Sequence, residues 1–157
     1  MYYLISFVYN QSLLYCIWVS NDEDYVITKD NKVLFFYTID DLKDYERSNN
    51  IIVKTNDDIR YNIDEMNLWC EDSNNLDCDC EQILNFWNIC SDIAKSLKIN
   101  FTGNESMYDD LYEKIFSAND LFSANPIPSI SLLEFSQEEI IDIKRILKEG
   151  IKIIIKE

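Results

Sequence analysis

Residues 80–97 read Cys80-Glu81-Gln82-Ile83-Leu84-Asn85-Phe86-Trp87-Asn88-Ile89-Cys90-Ser91-Asp92-Ile93-Ala94-Lys95-Ser96-Leu97, and their period decides the fold. At about 100° per residue, Ile83, Leu84, Phe86, Trp87, Cys90, Ile93, Ala94 and Leu97 fall within one broad arc. Glu81, Asn85, Asn88, Asp92 and Lys95 fill the opposite arc. An amphipathic helix of this length needs an apolar surface to pack on, and the residues upstream supply one. Tyr2 to Tyr9 and Leu13 to Val19 are rich in aromatic and β-branched residues. The polar break Asn10-Gln11-Ser12 between them marks a β-hairpin. Tyr25-Val26-Ile27-Thr28 and Val33-Leu34-Phe35-Phe36-Tyr37 flank the turn-forming Lys29-Asp30-Asn31-Lys32 and extend the hairpin into an antiparallel meander. Both faces of the first strands are apolar, which calls for helices on one side instead of water.

Between the meander and the long helix, Thr38 caps a short helix with Asp41 in its first turn and Ile39, Leu42 and Tyr45 on one face. Ile51-Ile52-Val53 reads as a further strand. Downstream, Ser106 with Asp109 opens a helix carrying Tyr108, Leu111, Tyr112 and Ile115. Asn125-Pro126-Ile127-Pro128 forces an irregular loop. Ser136 followed by Glu139 is a capping box for a final helix with Ile140, Ile143 and Leu147, and Gly150 stands where a stop is expected. Ile151-Lys152-Ile153-Ile154-Ile155 then reads as a short terminal strand returning to the sheet. The fold class is therefore α+β: an N-terminal antiparallel sheet packed against C-terminal helices, with a short C-terminal strand. One domain covers 1–157, strands dominating 1–55, helices 62–150 and the last strand 151–156.

The chain has 157 residues, 47% of them hydrophobic and 13% aromatic, enough apolar surface for one core and too much for a disordered chain. Lys and Arg number 14 against 29 Asp and Glu, a formal charge of −15 that repels phosphate backbones, so no nucleic acid is expected as a partner. Histidine is absent. That removes the commonest general base, the usual Ser and Cys triads and imidazole-built zinc sites, and the chain is not expected to be an enzyme. The first 21 residues carry no charged side chain, yet no basic segment precedes them and Asn10-Gln11-Ser12 interrupts the apolar run. Neither a signal peptide nor a membrane span is indicated, and a cytoplasmic protein is expected.

Cys70, Cys78, Cys80 and Cys90 are spaced C-x7-C-x-C-x9-C, without the paired knuckles that hold a tetrahedral metal. With Cys16 they make five, an odd number for a disulfide framework, so buried free thiols are expected. Cys78 lies between Asp77 and Asp79, whose charge disfavours its thiolate. The oxygen-rich run from Asp72 to Glu81 invites a calcium loop, but Leu76 falls on a ligand position and Asp77 where the bend needs glycine. Its simpler role is to place Asp77 or Asp79 as the cap of the long helix. Acidic pairs at Asp57-Asp58, Asp64-Glu65, Glu71-Asp72 and Asp109-Asp110 lack the defined separation of a glycosidase acid and base. No residue is assigned as catalytic, cofactor-binding or metal-ligating, and no cofactor is expected.

The distribution of acid is more telling. Residues 20–80 hold 16 acidic and 6 basic side chains, while residues 137–157 hold 5 of each. A localised negative field attracts a basic partner and speeds its association. The expected partner-binding residues are the acids flanking turns: Asp22, Glu23, Asp24, Asp57, Asp58, Glu71, Asp72, Asp77 and Asp79. Tyrosines, of which there are 10, and Trp69 beside Glu71-Asp72 would add contact area at little entropic cost.

The segments Leu84 to Ala94, Tyr112-Glu113-Lys114-Ile115-Phe116, Glu138-Glu139-Ile140 and Leu147-Lys148-Glu149-Gly150 carry a likeness that spans roughly residues 60 to 155. In pattern and overall character the chain resembles the small acidic bacterial immunity proteins encoded beside contact-dependent growth inhibition toxins. The resemblance implies a cytosolic protein that binds one cognate toxin domain, frequently a nuclease, as a 1:1 heterodimer and neutralises it. It transfers no contact residues, because the partner surface of such proteins is expected to vary. Two other readings stand beside it: an acidic nucleic-acid mimic that inhibits DNA- or RNA-binding proteins generally, and a metal-dependent hydrolase built on the carboxylate clusters.

Overall fold

A computed structural model describes residues 1–124 and 135–156, with the side chains of 56–58 and 121–124 outside the description. The expected loop at Asn125-Pro126-Ile127-Pro128 therefore lies outside the described residues. Strands β1 (Tyr2–Tyr9) and β2 (Ser12–Val19) form the hairpin, paired from Tyr2 opposite Val19 to Tyr9 opposite Ser12. Asn10 and Gln11 make the two-residue turn with φ of 50° and 61°, the left-handed backbone that matches the twist of the flanking strands. Their backbone N–H groups donate to the two carboxylate oxygens of Asp64, each at 2.8 Å.

The meander is shorter than its sequence suggests. β3 (Tyr25–Val26) joins the sheet beside β2, and β4 (Thr28–Lys29) pairs with β5 (Lys32–Val33) as a separate hairpin, turning through Asp30 and Asn31 at φ of 53° and 60°. Of the expected strand from Val33 to Tyr37, Val33 ends β5 and Phe36 forms an isolated bridge, exchanging backbone hydrogen bonds with Tyr15 at 2.7 and 2.9 Å. Helix α1 (Ile39–Asn49) starts as expected, with Thr38 Oγ1 accepting from the Asp41 N–H, and stops at Asn50 in the left-handed region. Strand β6 (Val53–Asn62) then runs parallel to β1, so the sheet has order β3-β2-β1-β6 and is mixed. The expected strand at Ile51-Ile52-Val53 contributes only its last residue, and Ile52 is 84% exposed.

Alternation sorts the strands onto two cores. Ile5, Phe7, Leu14 and Cys16 face the larger one, while Leu4, Ile17 and Val19 face a smaller one closed by Leu42 of α1 and Val53. Helices cover both faces, which is why neither face of β1 and β2 reads as polar. On the larger side lie α2 (Ile63–Glu71), α3 (Cys80–Leu97), α4 (Asp109–Ala124) and α5 (Gln137–Ile154). Asp79, one of the two expected caps, accepts from the Gln82 N–H at 3.1 Å and starts α3 at Cys80. Two 3-10 turns, Thr102–Asn104 and Ser106–Tyr108, precede α4, so the helix proper begins at Asp109, three residues after Ser106. The Ser136–Glu139 capping box is formed. Among the described residues no helix is long and apolar enough to cross a membrane.

The terminal strand is corrected outright: residues 151–154 continue α5, and Gly150 is not a stop. Ile140, Ile143, Leu147, Ile151 and Ile154 share one buried face, and Gly150 sits on it against α3. A Cβ at Gly150 would lie 2.4 Å from Cys90 Sγ and 2.8 Å from Cys90 Cβ. The glycine therefore sets how closely the two helices approach. Gly150→Ala is expected to destabilise the protein by about 1–3 kcal/mol in urea titrations, even though alanine favours helix by ~1 kcal/mol. Adding Cys90→Ala removes the nearest atom and recovers part of the loss. A neutral or stabilising Gly150→Ala would contradict this packing.

Candidate functional site: an acidic trough between the sheet and α3

The C-terminal half of α3 crosses the β2–β3 end of the sheet without closing onto it. Val26 N–H donates to Ser96 Oγ at 2.9 Å, and Ser96 donates to the Asp92 carbonyl at 2.6 Å, which ties the edge strand to the helix. Above this tie an open cleft of about 760 Å3 is lined by Ile5, Trp18, Ile59 and Tyr61 from the sheet and by Asn85, Asn88 and Asp92 from α3. Asp109 and Tyr112 of α4 complete its far wall. A second hollow of about 950 Å3 adjoins it, walled by Asp22, Glu23, Asp24 and Tyr25, and shares Asp24, Asp92 and Lys95 with the first. Together they form one trough whose lining, among the described residues, holds five carboxylates and a single lysine, with aromatic rings on its floor.

The floor is rigidly built. Trp18 packs on Tyr3 at a ring separation of 5.6 Å, and Tyr61 is held between Phe7 at 5.2 Å and the edge of Phe86 at 5.6 Å. Burial pushes the Tyr61 phenol well above its ordinary pKa, so it stays protonated. Trp87 anchors the back wall by donating to the Gly103 carbonyl at 3.1 Å, and its ring meets Tyr112 edge-on at 5.8 Å. The polar wall is pre-ordered as well: Tyr112 Oη donates to Asn88 Oδ1 at 2.8 Å, and Ser91 Oγ to Asn104 Oδ1 at 2.7 Å.

Asp92 is the most constrained of the acids. Its carboxylate accepts from Trp18 Nε1 at 3.3 Å and stands 4.0 Å from Lys95, with its side chain 20% exposed. Burial raises its pKa above the usual carboxylate range, Trp18 and Lys95 pull it back, and Asp24 pushes it up again. A carboxyl with a raised folded-state pKa is a net cost to folding once ionised, and that cost disappears as pH falls and the group protonates. Asp92→Asn is therefore expected to raise the melting temperature slightly at pH 7 while keeping an acceptor for Trp18. Its advantage over the parent should vanish in acid, and an advantage independent of pH would refute the assignment.

The expected partner-binding residues fall in two places. Asp22, Glu23 and Asp24 are exposed along the trough. Glu71, Asp72, Asp77 and Asp79 surround the opposite end of α3, about 20 Å away by the helix rise between Asp79 and Asp92. They are partly committed to the scaffold: Glu71 faces Lys148 at 3.7 Å, Asp79 caps α3, and the Asp72 and Asn75 carbonyls hold Lys144. The side chains of Asp57 and Asp58 lie outside the described ones; in the backbone they directly precede Ile59 of the cleft. In that segment β6 carries extra residues, Tyr3 and Ile5 facing Lys54 and Ile59. The sequence assigns no partner-binding role to Trp18, Tyr61, Asp92 or Asp109; Asp109 stands in it only as a helix start and as half of an acidic pair. The polar row Asn85, Asn88, Asp92, Lys95 on α3 was visible, and it is this row that lines the trough. Among the described residues, no three of His, Cys, Asp and Glu stand together as a metal-binding group. No protein-family model, no curated protein and no solved structure matches the chain.

Proposed function

We propose that this chain is an immunity protein that binds a cognate basic toxin domain, a nuclease being the class that fits best, and neutralises it by occluding the active site or substrate cleft. The observation that carries the reading is the trough. The five described carboxylates set around an aromatic floor offer a lysine- and arginine-lined surface what a single-stranded phosphate backbone offers it: negative charge with flat rings beside it. Occupying such a cleft needs no turnover, no metal and no cofactor, and the fixed rings supply contact area without an ordering penalty. The strongly negative net charge supports fast capture, and the resemblance of residues 60–155 to growth-inhibition immunity proteins points to the same partner class.

The test is co-expression with the toxin domain encoded beside this chain, co-purification, and titration against that domain and an unrelated basic nuclease. Nanomolar or tighter binding to the neighbour alone supports a dedicated inhibitor, because selectivity among basic clefts requires surfaces that reject the wrong one. Equal binding to both replaces this reading with a general acidic mimic. Binding to neither overturns it.

A further inference from the structure

We propose that Cys78 and Cys80 are an oxidisable dithiol, closing to an intramolecular disulfide with hydrogen peroxide as oxidant and reopening with a dithiol reductant. Of the five thiols, Cys16 and Cys90 are fully buried, and burial holds both well above the ordinary thiol range. Cys70 is also held up by burial, to about 11. Those three are inert packing groups. Cys78 and Cys80 differ in geometry: their sulfurs are 3.6 Å apart, one already within hydrogen-bonding distance of the other. A disulfide requires about 2.05 Å, so closure takes a movement of roughly 1.5 Å.

The backbone is shaped for that movement. Asp79 between them has φ −79° and ψ 91°, near the inverse γ-turn that draws its two neighbours together. Cys78 belongs to no helix or strand and is partly exposed, so it can rotate, whereas Cys80 is the first residue of α3, 6% exposed, and is fixed beside it. The two thiols also divide the chemistry. Cys78 is held toward its protonated form by the sulfur contact with Cys80, in which either thiol can donate, and by burial and Asp79, which oppose its charge. Cys80 is shifted the other way by that hydrogen bond, against burial and Asp79, which raise it, and it stands in the first turn of α3.

Cys80 thiolate attacks one peroxide oxygen, the O–O bond breaks, and the leaving hydroxide takes a proton to become water. Cys80 is then a sulfenic acid. The Cys78 sulfur attacks Cys80 Sγ, the S–O bond breaks, the thiol proton leaves with the hydroxyl, and a second water forms. Two thiols and one peroxide give one disulfide and two waters, the sulfurs supplying both electrons.

The experiment uses the reduced full chain with stoichiometric peroxide, followed by acid quench, unfolding, thiol titration and peptide mapping. Titratable thiols should fall from five to three, with one internal link joining Cys78 to Cys80, a mass lower by two hydrogens, and full recovery in dithiothreitol. Cys78→Ser should stall as a sulfenic acid at Cys80 that dimedone traps, and Cys80→Ser should leave Cys78 reduced. Persistence of five thiols, a link involving Cys16, Cys70 or Cys90, or an intermolecular link overturns the proposal on the unmutated chain, whatever partner the trough binds.

Discussion

If the trough receives the basic partner proposed above, replacing Asp22, Glu23 and Asp24 together by lysine is expected to slow association by about 10- to 100-fold at low ionic strength and to flatten the salt dependence of the rate. The three side chains are exposed at the mouth of the trough, so the substitution leaves both cores untouched. It turns three attractive charges into three repulsive ones at the point a basic surface meets first. Because exposed charges are screened over roughly 8–10 Å at 0.10–0.15 M salt, the difference between parent and variant should shrink as salt is added. A distal control that reverses two charges instead of three is lysine at Asp72 and Asp77, about 20 Å away along α3, where α5 already supplies Lys144 and Lys148. That pair should change the rate by no more than a few-fold. Stopped-flow rates that fall equally for both variants would mean that net charge, not the trough, governs capture. Rates unchanged for the first would remove electrostatic steering altogether.

The periodic elements were legible because each of their signals is local. The apolar arc of α3, the Thr38 cap, the Ser136–Glu139 box and the Asn10–Gln11 turn all rest on residues within four of one another. What was misread depends on partners far away in the chain. Gly150 looks like a stop until Cys90 of α3 is placed against it, and the β-branched run after it looks like a strand although Ile151 and Ile154 extend the Ile140–Leu147 face. β6 is parallel to β1 through a crossover that no local pattern specifies. The trough follows the same rule. The acids at 22–24 are visible as a cluster, but their neighbour Asp92 is some 70 residues away, and Trp18, legible as a strand residue, becomes part of a site only when its indole meets that carboxylate.

Lys144→Met should destabilise the protein by about 2–4 kcal/mol, a drop in melting temperature on the order of 10 °C for a chain of this size. Lys144 is 7% exposed and lies on the buried face of α5. Its ammonium donates to the Asp72 carbonyl at 2.5 Å and the Asn75 carbonyl at 2.6 Å, and sits 4.7 Å from the centre of the Trp69 ring. Those three contacts, with Trp69 Nε1 donating to the Asp77 carbonyl at 2.9 Å, hold the segment between α2 and α3 in place. Methionine keeps the length and the apolar stem but donates nothing, so two carbonyls lose a charged donor and the ring loses its cation. The loss is structural and reaches the Asp79 cap only through the segment, so the variant should expose Trp69, red-shift its emission and increase amide exchange over 72–79 before the sheet is affected. Lys148→Met, one turn along at the surface and 3.7 Å from Glu71, should cost less than about 0.5 kcal/mol, as exposed pairs do. Equal melting temperatures for the two variants would mean that the segment is held by its own turns and that Lys144 is a bystander.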